Sequence, residues 1–228
     1  MRVLIVGGAV PAPHSGFVAQ LAEHCDAVFA ADAGGAACLA AGVVPSFVVG
    51  DLDSLGAEDQ RRLREAGARF VVAPAEKDIT DLDLALEQAR GASADEVWTT
   101  GVFGGRLDHT LATIGSLSRH ADVRPRVLET DLSAWLLSPE GAPHLVLRGK
   151  GALVSLFAVR GTALVSCEGF RYTLMRETLP PLDSRGLSNV IESEQALVDA
   201  IEGSVLVVSL PMHGVETAWD QDFERIRQ

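Results

Sequence analysis

Lysine is scarce in this 228-residue chain: Lys77 and Lys150 are the only two. Acids outnumber bases 31 to 19, for a formal net charge of −12 and an isoelectric point near 4.9. Nonspecific nucleic-acid binding needs clustered Lys and Arg, so this balance excludes it. An acidic chain that handles phosphates needs a cation to bridge the like charges. The three cysteines, Cys25, Cys38 and Cys167, are scattered, odd in number and never spaced C-x-x-C. That excludes a disulfide framework and sets the expectation of a reducing, cytoplasmic compartment. No apolar run approaches the roughly 18 residues of a membrane span, so no membrane partner is expected. The opening run Val3–Val6 stops at Gly7-Gly8, which makes it a first strand rather than a leader. Neither G-x-x-x-x-G-K-[ST] nor G-x-G-x-x-G occurs, so the usual nucleotide loops are missing. There is no internal repeat and no low-complexity tract.

What is present is nearly half apolar, 47%, with a mean hydropathy of +0.20, enough for a substantial core. The chain is organised around Val48-Val49-Gly50-Asp51-Leu52-Asp53-Ser54. A short β-branched run reads as a buried strand. It ends at a glycine, which tolerates a close backbone approach, and then presents two carboxylates two residues apart. Open α/β sheets place ligands at such strand ends. Paired hard oxygens there suit Mg²⁺; the other reading is a solvated turn or a helix cap.

The same plan recurs through the first 120 residues. Val3–Val6 precedes Gly7-Gly8, a possible phosphate turn, and Phe17–His24 reads as helix. Ala27–Ala31 ends at Asp32-Ala33-Gly34-Gly35, before a short helix over Ala36–Ala41. Glu58–Ala66 is a charged surface helix. Phe70–Val72 leads into Lys77-Asp78-Ile79-Thr80-Asp81 and an amphipathic helix with Leu82, Ala85, Leu86 and Ala89 on one face. Thr80 with Asp83 resembles a capping box. Capping accounts for one acid, not for Lys77-Asp78 together with Asp81. Val97–Thr100 leads to Gly101-Val102-Phe103-Gly104-Gly105-Arg106-Leu107-Asp108-His109. Glycine-loop N–H groups cradle anions, and Arg106 offers a rigid fork for phosphate oxygens. A helix follows, with Leu111, Ile114 and Leu117 expected inward. Repeated strand–loop–helix units imply a parallel α/β sheet with its loops along one edge.

From about Arg124 the rhythm changes to short apolar runs punctuated by glycine and proline, including Val127-Leu128-Glu129, Ala134–Leu137, Leu145–Leu147, Leu153–Ala158, Ala163–Cys167 and Val205–Leu210. These predict an all-β sandwich or barrel-like second domain. The linker is expected around Ala121–Arg126, or near Ser138–Pro143, giving domains 1–124 and 125–228. Tyr172, the only tyrosine, and Arg185-Gly186-Leu187-Ser188-Asn189 form the polar cluster of this half, suited to a flat heterocycle or to a plain surface turn.

Taken together and in order, Gly50-Asp51-Leu52-Asp53-Ser54, Lys77-Asp78-Ile79-Thr80-Asp81 and Gly104-Gly105-Arg106-Leu107-Asp108-His109 resemble the motifs of the thiamine pyrophosphokinase family. Asp32-Ala33-Gly34-Gly35 is similar to the family's acid–glycine turn, with Ala33 where glycine is more usual. Gly169-Phe170-Arg171-Tyr172 and Gly186-Leu187-Ser188-Asn189 are similar to its late motifs, with Tyr172 where the family often has Trp. The resemblance implies a Rossmann-like nucleotide-binding catalytic domain followed by a thiamine-binding β-sandwich, in a homodimer. It implies Mg²⁺-dependent transfer of diphosphate from ATP to the hydroxyethyl group of thiamine, leaving AMP. Carried over by position, Asp51, Asp53 and Asp81 hold Mg²⁺. Asp32, Lys77, Gly104, Gly105, Arg106 and His109 surround the nucleotide. Asp78, Asp81 and Asp108 are the candidate catalytic acids, and Ser166, Tyr172, Ser188 and Asn189 face thiamine. Two rival readings share these residues: a diphosphokinase for another heterocyclic alcohol, such as a hydroxymethylpterin, and a non-catalytic regulator that binds nucleotide or thiamine.

Overall fold

The structure is a computed structural model that describes residues 1–9, 12–74 and 78–210. It divides into two compact units, Met1–Thr130 and Asp131–Gln228.

In the first unit, strands and helices alternate as the periodicity predicts. In chain order they are β1 (Arg2–Val6), α1 (Ser15–Ala22), β2 (Ala27–Ala31), α2 (Gly34–Ala40), β3 (Phe47–Gly50), α3 (Ala57–Glu65), β4 (Arg69–Val72), α4 (Asp81–Gly91), β5 (Glu96–Thr100), α5 (Leu107–Arg119) and β6 (Pro125–Leu128). The strands lie in the order β6-β5-β1-β2-β3-β4, and every pairing among them is parallel. Parallel strands flanked by helices are buried on both faces, which is why β1 reads as an unbroken apolar run; Val3, Leu4, Ile5 and Val6 are all fully buried. The chain builds outward from β1 to β4 and then crosses back to lay β5 on β1's other side. The β1/β5 junction is therefore the topological switch point, where such sheets open a crevice at the carboxyl ends of their strands.

Three local expectations change. Gly34 and Gly35 are not loop: they are the buried first turn of α2, and a Cβ on Gly34 would sit 1.9 Å from the Val6 carbonyl. Helix and strand meet there backbone to backbone. On α5, Leu111 is exposed, Ile114 half-buried, and only Leu117 fully inward. The buried face carries Thr113, Ser116 and Ser118 as well, because Thr113 donates to the Val102 carbonyl and Ser116 to Asp83. β6 pairs with β5 inside the first unit, so the units meet six residues beyond the expected 124/125 boundary.

Among the described residues, the regular structure of the second unit is strand apart from one short turn of 3₁₀ helix. It contains β7 (Ser133–Leu137), β8 (His144–Leu147), β9 (Leu153–Ala158), β10 (Ala163–Glu168), β11 (Leu174–Leu179), β12 (Asn189–Val190), β13 (Ala196–Glu202) and β14 (Val205–Leu210). Strands β12, β9, β14 and β7 pair antiparallel in that order, and β11, β10, β13 and β8 form a separate antiparallel sheet. Side chains from both sets share one apolar cluster, including Trp135, Val154, Val165, Val198 and Val207. Strand β13, Ala-Leu-Val-Asp-Ala-Ile-Glu, is not among the expected runs. Its composition is helix-friendly, but Ala196, Val198 and Ala200 alternate into the core, the period of a strand. Among the described residues, no helix is long and apolar enough to cross a membrane.

Candidate active site

An open cleft of about 440 Å³ lies at the switch point of the first unit. Gly7 and Gly8 after β1, Asp51 after β3, Thr80 and Asp81 at the start of α4, and Gly101, Val102 and Gly104–Arg106 of the loop after β5 line it. Two glycine loops close its floor. The Gly7 N–H donates to the Thr100 carbonyl and the Ala9 N–H to that of Gly101, both at 2.8 Å. A Cβ on Gly7 would lie 2.5 Å from the Gly101 oxygen, and one on Gly101, where φ is +65°, would lie 2.7 Å from the Gly7 oxygen. Neither position admits a side chain.

On one side of the rim stand the acids. Ligand-competent oxygens of Asp32, Asp51 and Asp53 all lie within 4.8 Å of one another. Leu52 between the last two adopts φ +65° and is buried, so its side chain anchors a turn that leaves Asp51 on the cleft lining and Asp53 exposed beside it. The Asp53 N–H donates to Asp51 Oδ1 and the Ser54 hydroxyl to Asp53 Oδ1. Asp81 joins from α4: a Cβ on Gly50 (φ +147°) would meet Asp81 Oδ1 at 3.0 Å and the Asp32 Cβ at 3.2 Å. The glycine is what lets an acid from the end of β2 and one from the start of α4 close over β3. Burial, together with the charges of Asp81 and Asp53, raises the Asp32 carboxyl above its ordinary range, against the Ser54 hydrogen bond that lowers it. Asp32 Oδ1 is buried and accepts no hydrogen bond. A clustered carboxylate set with an orphaned oxygen fits a hard divalent cation such as Mg²⁺. The tight group is thus Asp32, Asp51 and Asp53, with Asp81 beside it. Asp32, expected near the nucleotide, stands among the acids.

The start of α4 is held by the expected capping box: Thr80 accepts from the Asp83 N–H, and Asp83 accepts from the Thr80 N–H. Asp83 also accepts from Ser116 (2.9 Å) and Arg119 (2.7 Å) of α5. Its burial raises the carboxyl, but the bonds from Thr80, Arg119 and Ser116 outweigh that and hold it below its ordinary range. Asp83 therefore fixes α4, and Asp81 with it, to α5. Asp78 is exposed in the bend before the helix. Lys77 lies outside the described residues.

On the opposite side stands the glycine loop, and its first half is already occupied. Glu129, just past β6, accepts from the N–H groups of Gly101 (3.0 Å), Val102 (3.0 Å) and Phe103 (3.2 Å) and from the Thr100 hydroxyl (3.3 Å). Burial pushes this carboxyl up, and the three amides and the hydroxyl pull it back; the net direction is up. Those amides cannot cradle a phosphate as the sequence suggested. Gly104 (φ +110°) and Gly105 (φ +66°) then carry the chain to Arg106, which binds Asp108 at 2.6 Å with both side chains exposed. The hydrogen bond from Arg106 lowers Asp108 to about 2. His109 is exposed on the cleft lining.

In the second unit the structure brings Tyr172 and Asn189 together. Buried Asn189 accepts from the Tyr172 N–H (3.0 Å) and the Val190 N–H (3.0 Å), and donates to the Tyr172 carbonyl (2.6 Å). Its amide is spent on the main chain of Tyr172, whose side chain stays 64% exposed. Ser188 has φ +56°, and its N–H donates to Ser155 Oγ. The Ser166 hydroxyl accepts from the Arg176 N–H.

Sequence reasoning missed Glu129 as a site residue and read Asp83 only as a cap. The sole signal for Glu129 was an acid ending an apolar strand, the signal that marked Asp32 and Asp51.

Residues 18–128 match the family model for the thiamin pyrophosphokinase catalytic domain. A thiamine pyrophosphokinase of Bacillus subtilis (strain 168) is 42% identical over 83 residues, 36% of this chain and 39% of that protein. Thiamine pyrophosphokinase 1 of Oryza sativa subsp. japonica is 24% identical over 175 residues, 73% of this chain and 66% of that protein. The aligned stretch falls short of two thirds of either relative's length. The crystal structure of thiamin pyrophosphokinase from Geobacillus thermodenitrificans is similar with a TM-score of 0.78 at 25% identity, over 94% of this chain and 99% of that one.

Proposed function

From a chain whose residues 18–128 match the family model for the thiamin pyrophosphokinase catalytic domain, we propose a Mg²⁺-dependent thiamine diphosphokinase. It transfers diphosphate from ATP to the thiamine hydroxyl and releases AMP. The observation that carries this reading is the pairing, in one switch-point cleft, of Asp81 and Asp51, the latter a member of the close carboxylate cluster, with a glycine–arginine loop. On this reading the first unit is a Rossmann-like nucleotide domain and the second a β-sandwich whose Tyr172, Ser188 and Ser166 face thiamine. Asn189 acts there by fixing the Tyr172 backbone. The enzyme works as a cytoplasmic homodimer.

The hydroxyl oxygen of thiamine attacks the β-phosphorus of ATP, the bond to the α-phosphate oxygen breaks, and the hydroxyl proton is lost. Such transfers depend mostly on positioning and on neutralising charge. Asp32, Asp51, Asp53 and Asp81 would hold Mg²⁺, which when bound neutralises phosphate charge. Arg106 and Lys77 bind phosphate oxygens, and the Gly104–Gly105 turn lets the chain approach them. Asp108, ionised and paired with Arg106, orients that guanidinium; an acid lowered to about 2 is a weak base. That leaves Asp78 as the acid to orient the hydroxyl. The acidic rim also favours thiamine as a cation.

The test is AMP release by purified protein with ATP, Mg²⁺ and thiamine. AMP formed with thiamine and not with hydroxymethylpterins supports the reading. AMP with a pterin alone overturns the substrate, and ATP binding without AMP overturns the activity.

A further inference from the structure

The amides of Gly101, Val102 and Phe103 are successive, yet all three point at one carboxylate. Successive N–H groups converging on one point form a nest, a concavity that takes an anion. In this loop the anion is the chain's own Glu129. Each carboxylate oxygen takes two donors, Thr100 and Gly101 on Oε2, Val102 and Phe103 on Oε1, which fills most of its acceptor capacity.

We propose that Glu129 is the positioning residue of the phosphate loop: it fills the nest formed by residues 101–103, so that within this loop only Gly104, Gly105 and Arg106 meet the nucleotide's phosphates. This rests on the nucleotide reading above and goes beyond it. A phosphate cannot enter the nest while a carboxylate sits there, since the two anions would compete for the same amides. The loop is pinned from two directions. Glu129 holds its amides, and Gly101 is packed against β1's loop, where a Cβ would lie 2.7 Å from the Gly7 oxygen and 2.9 Å from Pro13 Cγ. The chain leaves this pinned segment through two positive-φ glycines, Gly104 and Gly105, which aim the following residue, Arg106, at the cleft. Glu129 does not line the cleft; it acts through the loop.

Full-length Glu129→Ala and Glu129→Gln test this by amide hydrogen exchange, melting temperature, ATP–Mg²⁺ calorimetry and steady-state kinetics. Glu129→Ala is expected to speed exchange at residues 101–103 and leave β2 and β3 protected. It should weaken ATP binding at least about tenfold, with the loss in the KM for ATP and kcat within about threefold. Glu129→Gln keeps one acceptor oxygen and should recover part of the affinity. It carries the test alone if the alanine variant does not fold. Faster exchange at 101–103 with unchanged ATP affinity would reduce Glu129 to a fold staple and overturn the proposal. Unchanged exchange would overturn it too, as would wild-type protein that binds no ATP. Wild-type protein that binds ATP without releasing AMP defeats the activity reading, while the affinity series still decides Glu129.

Discussion

On the β2–β3 side of the cleft, the carboxylates of Asp32, Asp51 and Asp53 face one another within 4.8 Å. On the β5–α5 side, each charge already has a partner: Arg106 with Asp108, Arg119 with Asp83, and Glu129 with three amides. The first side gathers repulsion that a cation relieves when it binds. The second is assembled before any ligand arrives, so it loses little in ordering itself. One cleft thus combines a site completed by its ligand with a frame that does not wait for one. Asp32 on the first side is raised with its buried Oδ1 unbonded; on the second side Asp83, despite its burial, is lowered by its hydrogen bonds, and Glu129 is raised by burial although four donors hold it.

The paired side should be the more sensitive in stability. Asp83→Ala removes a capping box and strands Ser116 and Arg119, so we expect a loss of about 2–4 kcal/mol by urea unfolding. Because Asp83 sits below its ordinary value of 3.8, its contribution is present above that pH and disappears as pH falls through the folded value. A wild-type-like midpoint in the variant would break the contrast.

The acidic side should be more sensitive in turnover. Asp53→Asn and Asp81→Asn are expected to keep the fold and lose at least about tenfold in rate, a barrier rise of roughly 1.4 kcal/mol. Near wild-type rates at saturating Mg²⁺ would remove either residue from the metal site.

Smaller, and opposite in sign, is Asp32→Asn without Mg²⁺. A carboxyl raised by folding costs stability as pH climbs from 3.8 through the folded value, and the cost persists above it. The variant should therefore melt about 2 °C higher than wild type at pH 7, with the gap closing toward pH 4. A gap that widens toward acid would reverse the assignment.

Smallest is the thermal effect of Arg106→Ala. Both Arg106 and its partner Asp108 are exposed, and surface pairs contribute little, so the melting curve should not move while ATP affinity falls. A shifted melting temperature would make Arg106 part of the frame rather than of the binding edge.

Much of the frame was legible. The buried run of β1, the capping box at Thr80 and the acids ending β2 and β3 each follow from residues within a few positions of one another. What escaped shares one character. Asp32 joins Asp51 and Asp53 across two strand ends, Arg119 reaches Asp83 across 36 residues, and Glu129 reaches Gly101 across 28. A carboxylate that caps a strand end, holds a loop or faces a cation looks the same in one dimension. Asn189 shows the same limit: its type suited a ligand contact, and its amide instead clamps Tyr172. Strand β13 escaped for another reason, because its alternation was masked by helix-favouring residues.

By itself, then, the sequence determined the alternation of strand and helix, the change to all-β structure in the second half, and the chemical kinds of side chain available at the strand ends. Those properties depend on periodicity and residue type, which are local. Which acids share an ion site, which amides are free for phosphate and which side chains merely hold others in place were decided only by the tertiary structure. Each of those choices depends on a distance of a few ångströms between segments that the strand order, and nothing in the neighbouring residues, brings together.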